Sequence, residues 1–164
     1  YKNVYHLQEK YIGWLMAFNG IGVAVIEMFL IYHIQNRWTQ FKFISLGIVL
    51  LMIAFLMLIP WFGISILILS MLFITFSEML AMPFMSTYAI KKAPQQSMGQ
   101  YMALYSMSWS IAQIVAPLVG TSVIDNFGYN ALWLVLAGIA AIAFLGFRWI
   151  EWFNIKLQQE TSRV

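Results

Sequence analysis

Ile64-Ser65-Ile66-Leu67-Ile68-Leu69 opens an apolar stretch, about 62–90, that runs on through Phe73-Ile74-Thr75-Phe76-Ser77-Glu78-Met79-Leu80 and Pro83. Its hydrophobicity is continuous, without the two-residue alternation of a membrane strand. It is also long enough to cross a bilayer core, which takes about 20 residues of helix. The rest of the chain repeats the pattern. Of its 164 residues 62% are hydrophobic and 9% charged, with a mean hydropathy of +0.80. An ordinary soluble domain is about 25% charged, so a water-soluble globule is excluded, and so is a disordered chain. With no cysteine, disulfide scaffolds, thiolate catalysis and Cys-based metal sites drop out as well.

Four further stretches read as spans, at about 11–34, 43–60, 98–124 and 129–150. The expected fold is all-α, a polytopic membrane protein of five transmembrane helices in one domain. Links rich in Pro, Gly, Asn and charge, such as Pro60-Trp61-Phe62-Gly63 and Asp125-Asn126-Phe127-Gly128-Tyr129-Asn130, make successive helices antiparallel neighbours. The net charge of +3 comes without a basic run, so nucleic acid is not an expected partner. Instead, Arg37, Lys42, Lys91, Lys92, Arg148, Lys156 and Arg163 fall on one side of the membrane, and Lys2 and Lys10 on the other. The positive-inside rule then places the N-terminus outside and the C-terminus in the cytoplasm. Trp14, Trp61, Tyr129 and Trp133 near the outer ends, and Trp38, Trp149 and Trp152 near the inner ends, suit the headgroup region. The tail after Trp152 is too polar to insert and is expected to continue as a short cytoplasmic or interfacial helix. The chain starts at Tyr1 without a signal segment, as a cut through a longer chain would.

Two carboxylates interrupt the apolar runs. Glu27 lies sixteen residues after Tyr11, and Glu78 sixteen after Phe62. At 1.5 Å per residue both sit about 24 Å inward, slightly cytoplasmic of the midplane. A carboxylate at that depth costs a few kcal/mol and faces a cavity or a partner, so both are candidates for proton coupling. Gly13, Ala17, Gly20, Ala24 and Glu27 form a narrow stripe on the first helix, which directs Glu27 toward protein; Gly20 is a packing candidate, and small-residue packing alone would explain the stripe. Glu78 shares a face with Met71, Met82 and Met85, adaptable side chains suited to a cavity wall or to filling core gaps. Pro83 removes a backbone bond and marks a hinge or a simple bend.

The fourth span gathers Gly99, Met102, Ser106, Trp109, Ser110, Gln113, Pro117 and Gly120 on one side. Ser106, Trp109 and Gln113, with Asn19 and Met82, are substrate-cavity candidates, and Pro117 and Gly120 hinge or packing candidates. Trp109 offers a flat ring to an apolar or cationic guest, and Gln113 donates and accepts. Serines bonding back to their own helix and a Gln bridging two helices are the plainer alternative. His33, beside Tyr32 at the inner boundary, reads as a solvated anchor. No phosphate loop, metal-ligand cluster or nucleophile–base pair is present, so neither a metal nor a cofactor is expected, and an enzyme is disfavoured.

Three stretches resemble the C-terminal half of a major facilitator superfamily transporter, most like its drug–proton antiporter branch. The strongest runs from Ser77-Glu78-Met79-Leu80 and Pro83 through Ala93-Pro94 and Gly99-Gln100-Tyr101-Met102 to Ala116-Pro117-Leu118-Val119-Gly120 and Trp133. Asn36-Arg37-Trp38-Thr39-Gln40-Phe41-Lys42 is similar to a degenerate copy of the family's basic loop, without its usual Asp, and Glu9-Lys10-Tyr11-Ile12-Gly13 to a helix start after an external loop. Ala116-Pro117 stands for the Gly-Pro element, and Gly120-Thr121 for the glycine pair. These departures leave antiport and symport both open. The resemblance implies helices eight to twelve of a twelve-helix, proton-coupled secondary transporter in a bacterial cytoplasmic (inner) membrane, exporting small hydrophobic or cationic compounds. Its expected partners are the bilayer, a small-molecule substrate, protons and the N-terminal half of the same chain. A proton-coupled symporter of the same fold, or a non-transporting scaffold or assembly subunit, is the alternative.

Overall fold

The structure, a computed structural model, describes residues 9–34, 38–59 and 63–161. Arg37, Trp61, Lys2 and Arg163 of the charge and aromatic patterns lie outside the described residues. Those described are almost wholly helical: α1 (Glu9–Ile34), α2 (Gln40–Met57), α3 (Ile64–Lys92), a 3-10 turn (Gln95–Ser97) and α4 (Met98–Thr161). Gln40–Met57, Ile64–Lys92 and the run Gln95–Lys156 are each long and apolar enough to cross a membrane.

The last run is 62 residues long, about 93 Å if straight and so about three bilayer cores. It is not straight. Gly128 breaks it with φ 80°, ψ 177°, a left-handed conformation that only glycine enters without a steric cost. The arms, 98–127 and 129–161, then lie side by side, because Tyr105 and Trp109 of the first share a cleft with Phe147 of the second. The polar link expected over 125–130 thus shrinks to one non-helical residue. Asn126 stays helical by donating from Nδ2 to the Ser122 carbonyl at 2.8 Å. The second arm continues without a break to Thr161, so the tail after Trp152 is helical, as expected, and extends the span.

α2 is the hub, packing most extensively on α3 and next on the 129–161 arm. Both contacts are antiparallel. Against α3, Ser70 Oγ donates to the Ala54 carbonyl at 3.2 Å, Phe43 stacks on Phe84 at 4.5 Å, and Phe41 meets Tyr88 edge-on at 4.9 Å. Against the arm, Phe55 stacks on Trp133 at 6.3 Å at one end, while Ile44 and Ile48 join Ala140 in the buried core nearer the other. At that second end Lys92 Nζ donates to Asn154 Oδ1 at 2.7 Å, and Asn154 Nδ2 to Tyr88 Oη at 3.3 Å. Lys42, Lys91, Lys92 and Arg148 therefore share one end of the bundle. Away from these contacts the helices turn large apolar side chains outward, among them Leu118, Ile142 and Leu145, as a chain with lipid for solvent does.

The Ser70 bond is a buried interhelical link between α2 and α3. Ser70→Ala is expected to lower the thermal stability of the full protein in detergent by about 0.6–1.7 kcal/mol, the range for such bonds in membranes.

Candidate functional site

The site begins with how closely α2 and α3 approach. Gly47, in the middle of α2, has no side chain to hold the helices apart. A Cβ there would stand 2.9 Å from the Ser77 carbonyl oxygen, 3.0 Å from Ala81 Cβ and 3.1 Å from the Ala81 nitrogen. Ser77 and Leu80 are consequently buried. Glu78 is the next residue along, turned about 100° from Ser77 around the helix. It is half-buried, and among the described residues its carboxylate has neither a hydrogen bond nor an ion pair. A carboxylate so placed, at mid-helix in an apolar span, is relieved only by a partner from outside these residues or by a proton.

Below it the helix is modified at Pro83, which has no N–H to give to the Met79 carbonyl. One turn on, Thr87 Oγ1 and Ser86 Oγ both donate to the Pro83 carbonyl, at 2.7 and 3.0 Å. The same device recurs at Pro117, where Thr121 Oγ1 donates to the Pro117 carbonyl at 2.8 Å and to that of Leu118 at 3.1 Å. Such back-bonding bends helices, so each proline comes with its own local distortion. Both threonines lie four residues after a proline, a spacing legible in the sequence.

Between α3 and the two arms of α4 lies a cleft of about 470 Å³, walled by the rings of Tyr88, Tyr105, Trp109 and Phe147 with Met85, Ala89, Ser108 and Ala112. Its size suits a small organic molecule. Trp109 belongs to it. Ser106, Gln113 and Met82 do not line it; Met82 is half-buried, and Ser106 and Gln113 stand exposed on the neighbouring face of the 98–127 arm. There Ser110 Oγ donates to the Ser106 carbonyl at 3.1 Å. Of the expected face Trp109 lines the cleft, with Tyr105, Ser108 and Ala112 from the adjoining side of the helix, while Ser106, Ser110 and Gln113 are open among the described residues.

Of the small residues, Gly20 has open space around it and Gly120 only an ordinary contact, 3.8 Å from Leu132 Cδ1. Among the described residues the glycine with a tight crossing is Gly47. Its signal was available, as the one glycine in α2. Asn19 and Glu27 lie on α1, and their side chains fall outside those described. His33 Nδ1 donates to the Phe29 carbonyl at 3.1 Å, anchoring the exposed end of α1. Among the described residues no group of three or more His, Asp or Glu is placed to hold a metal.

The family model of the Major Facilitator Superfamily matches residues 1–162. A Na(+), Li(+), K(+)/H(+) antiporter of Planococcus maritimus is 26% identical over 148 residues, covering 87% of this chain and 33% of that protein. Two proteins of Bacillus subtilis (strain 168) described as uncharacterized MFS-type transporters are also similar. YttB is 25% identical over 131 residues, 79% of this chain and 33% of that protein, and YhjO 26% over 91, or 55% and 23%. The chain therefore spans a third or less of the length of these curated relatives. No solved structure matches. With an apolar helical bundle and a family match along nearly its whole length, the chain belongs to the Major Facilitator Superfamily of membrane transporters.

Proposed function

We propose that this chain forms the C-terminal part of a proton-coupled secondary transporter that exports small hydrophobic cations by alternating access, with Glu78 carrying the proton. One observation bears most of this reading: Glu78 is half-buried at mid-span without a hydrogen bond or ion pair among the described residues, beside the tight α2–α3 crossing at Gly47. A site for coupling needs a group that exchanges a proton against a cation, and an unpaired carboxylate in hydrocarbon is such a group. Glu27, expected at the same depth on α1, is the second coupling candidate.

Five crossings fit this reading, with α1, α2, α3 and the two arms of α4 each traversing the bilayer once. The Lys42, Lys91, Lys92 and Arg148 end is then cytoplasmic by the positive-inside rule, in a bacterial cytoplasmic membrane. The exposed polar face of Ser106, Ser110 and Gln113 is left for the N-terminal half of the protein. Its cavity would lie between the halves near the midplane, where transporters of this kind bind their substrates. Trp109, which belongs to that face and also edges the 470 Å³ cleft, supports an apolar or cationic cargo, since aromatic faces attract cations. A second reading, exchange of inorganic monovalent cations for protons, is favoured by the printed name of the Planococcus relative.

Proteoliposomes of the full-length protein with an imposed pH gradient separate the two. Tetraphenylphosphonium accumulation driven by the gradient supports the first reading. Dissipation of the gradient by sodium or potassium but not by tetraphenylphosphonium supports the second, and no response to either overturns proton coupling. In the same assay Trp109→Ala is expected to weaken tetraphenylphosphonium affinity about tenfold, the loss of one cation–π contact of ~1.4 kcal/mol.

A further inference from the structure

A second groove, of about 550 Å³, lies between α2 and the 129–161 arm at the basic end of the bundle. Along α2 it is lined by Lys42, Ser45, Leu46 and Val49, spaced as one helical stripe, and from the arm by Phe144 and Arg148 one turn apart. Its composition changes along its length. Lys42 and Arg148 stand at the mouth beside the exposed ring of Trp38, while Leu46, Val49 and Phe144 form an apolar floor running inward. Lys42 to Val49 is about 10 Å along the helix axis. Arg148 spends one N–H on Glu151, at 2.6 Å, leaving its other donors free of that contact. Ser45 Oγ is buried and has no hydrogen-bond partner among the described residues, although a helical serine ordinarily bonds back to its own backbone.

We propose that this groove seats an anionic phospholipid, its phosphate between Lys42 and Arg148 and an acyl chain along Leu46, Val49 and Phe144. Two cations and an interfacial tryptophan at one level are what a phosphate headgroup meets favourably, and basic pockets between helices at the cytoplasmic level bind such headgroups. The apolar floor separates a lipid from a free anion, because inorganic phosphate gains nothing from Leu46, Val49 and Phe144. A lysine at such a mouth covers apolar surface with its methylene stem while its ammonium reaches the headgroup level.

The test is made on full-length protein in dodecyl maltoside, titrated with phosphatidylglycerol, phosphatidylcholine or inorganic phosphate and followed by native mass spectrometry and thermal unfolding. Wild type is expected to retain phosphatidylglycerol in preference to phosphatidylcholine and to unfold at higher temperature with it. Lys42→Ala with Arg148→Ala is expected to weaken that retention about thirtyfold, each cation contributing comparably. Lys91→Ala with Lys156→Ala, cations outside the groove, is expected to leave retention unchanged. Leu46→Trp keeps both charges and fills the floor, and is expected to weaken phosphatidylglycerol alone. Equal retention of the two lipids, or undiminished retention after loss of Lys42 and Arg148, overturns the proposal. Protection by inorganic phosphate equal to that by phosphatidylglycerol identifies a soluble-anion site and overturns it too.

Discussion

Replacing Glu78 with Gln is expected to bring pH-driven accumulation of tetraphenylphosphonium by the full-length protein down to the level of protein-free liposomes. Gln matches Glu in size and keeps hydrogen-bonding capacity, but it neither binds nor releases a proton near neutral pH. The helix should tolerate the change. Glu78 makes no hydrogen bond or ion pair among the described residues that the substitution would break. Removing a lone carboxylate from an apolar span also lifts an insertion cost of a few kcal/mol. Expression and thermal stability of Glu78→Gln are therefore expected to equal or exceed wild type while coupled uptake is lost. Downhill tetraphenylphosphonium exchange, which needs no proton, is expected to persist. Undiminished gradient-driven uptake by Glu78→Gln would move the coupling role elsewhere, with Glu27 the next residue to replace.

The second large effect is structural and centres on Gly47. Alanine there places a methyl carbon against the Ser77 carbonyl oxygen at 2.9 Å and the Ala81 nitrogen at 3.1 Å, both backbone atoms that cannot rotate aside. The helices must separate. Overpacking of this kind costs about 1–3 kcal/mol for a small addition, and Gly47→Leu is expected to leave little folded protein to purify. Gly138→Ala is the matched control, since a Cβ at that position meets nothing within 4 Å. There the better helix propensity of alanine is expected to leave stability unchanged or raised by up to about 1 kcal/mol. Thermal unfolding of Gly47→Ala and Gly138→Ala in detergent, together with the purified yield of Gly47→Leu, reads the difference. Because the Ser77 carbonyl takes the contact, Gly47→Ala should also displace Glu78 and lower coupled uptake in step with stability. Equal melting temperatures for Gly47→Ala and Gly138→Ala would mean that α2 and α3 stand farther apart than this structure has them.

Much of the architecture follows from one-dimensional features. The run from Ile64 to Lys92 is apolar far beyond the length of a soluble core strand, and its length alone marks a membrane helix. Helix ends are less visible. Asp125, Asn126 and Asn130 read as a link because polar residues collect in loops, yet a helix accepts them when one glycine makes the turn, as Gly128 does. The tail from Phe153 to Thr161 continues its helix as expected, since its Gln, Lys and Glu side chains are good helix formers.

The site was legible in kind more than in geometry. Glu78 and Trp109 stand out in any scan for polar or aromatic residues in an apolar stretch; the first has no hydrogen bond or ion pair among the described residues, and the second lines a cleft. Which face of the 98–127 arm meets its neighbours is set by the turn at Gly128 and by Phe147 across the cleft. Helical periodicity groups Ser106, Trp109 and Gln113 without saying what they face. Small residues group into a stripe at Gly13 and Gly20 and stand alone at Gly47, and among the described residues the tight contact is at Gly47, because small size permits approach only where another helix arrives.

Proton release on substrate binding reaches the central claim most directly. Tetraphenylphosphonium is added to full-length protein in lightly buffered detergent near neutral pH, and proton release is followed with an indicator dye. If Glu78 exchanges its proton for the cation, wild type releases about one proton per cation bound, by linkage, and Glu78→Gln releases none. Equal release from both proteins would contradict the assignment of Glu78 as the proton carrier.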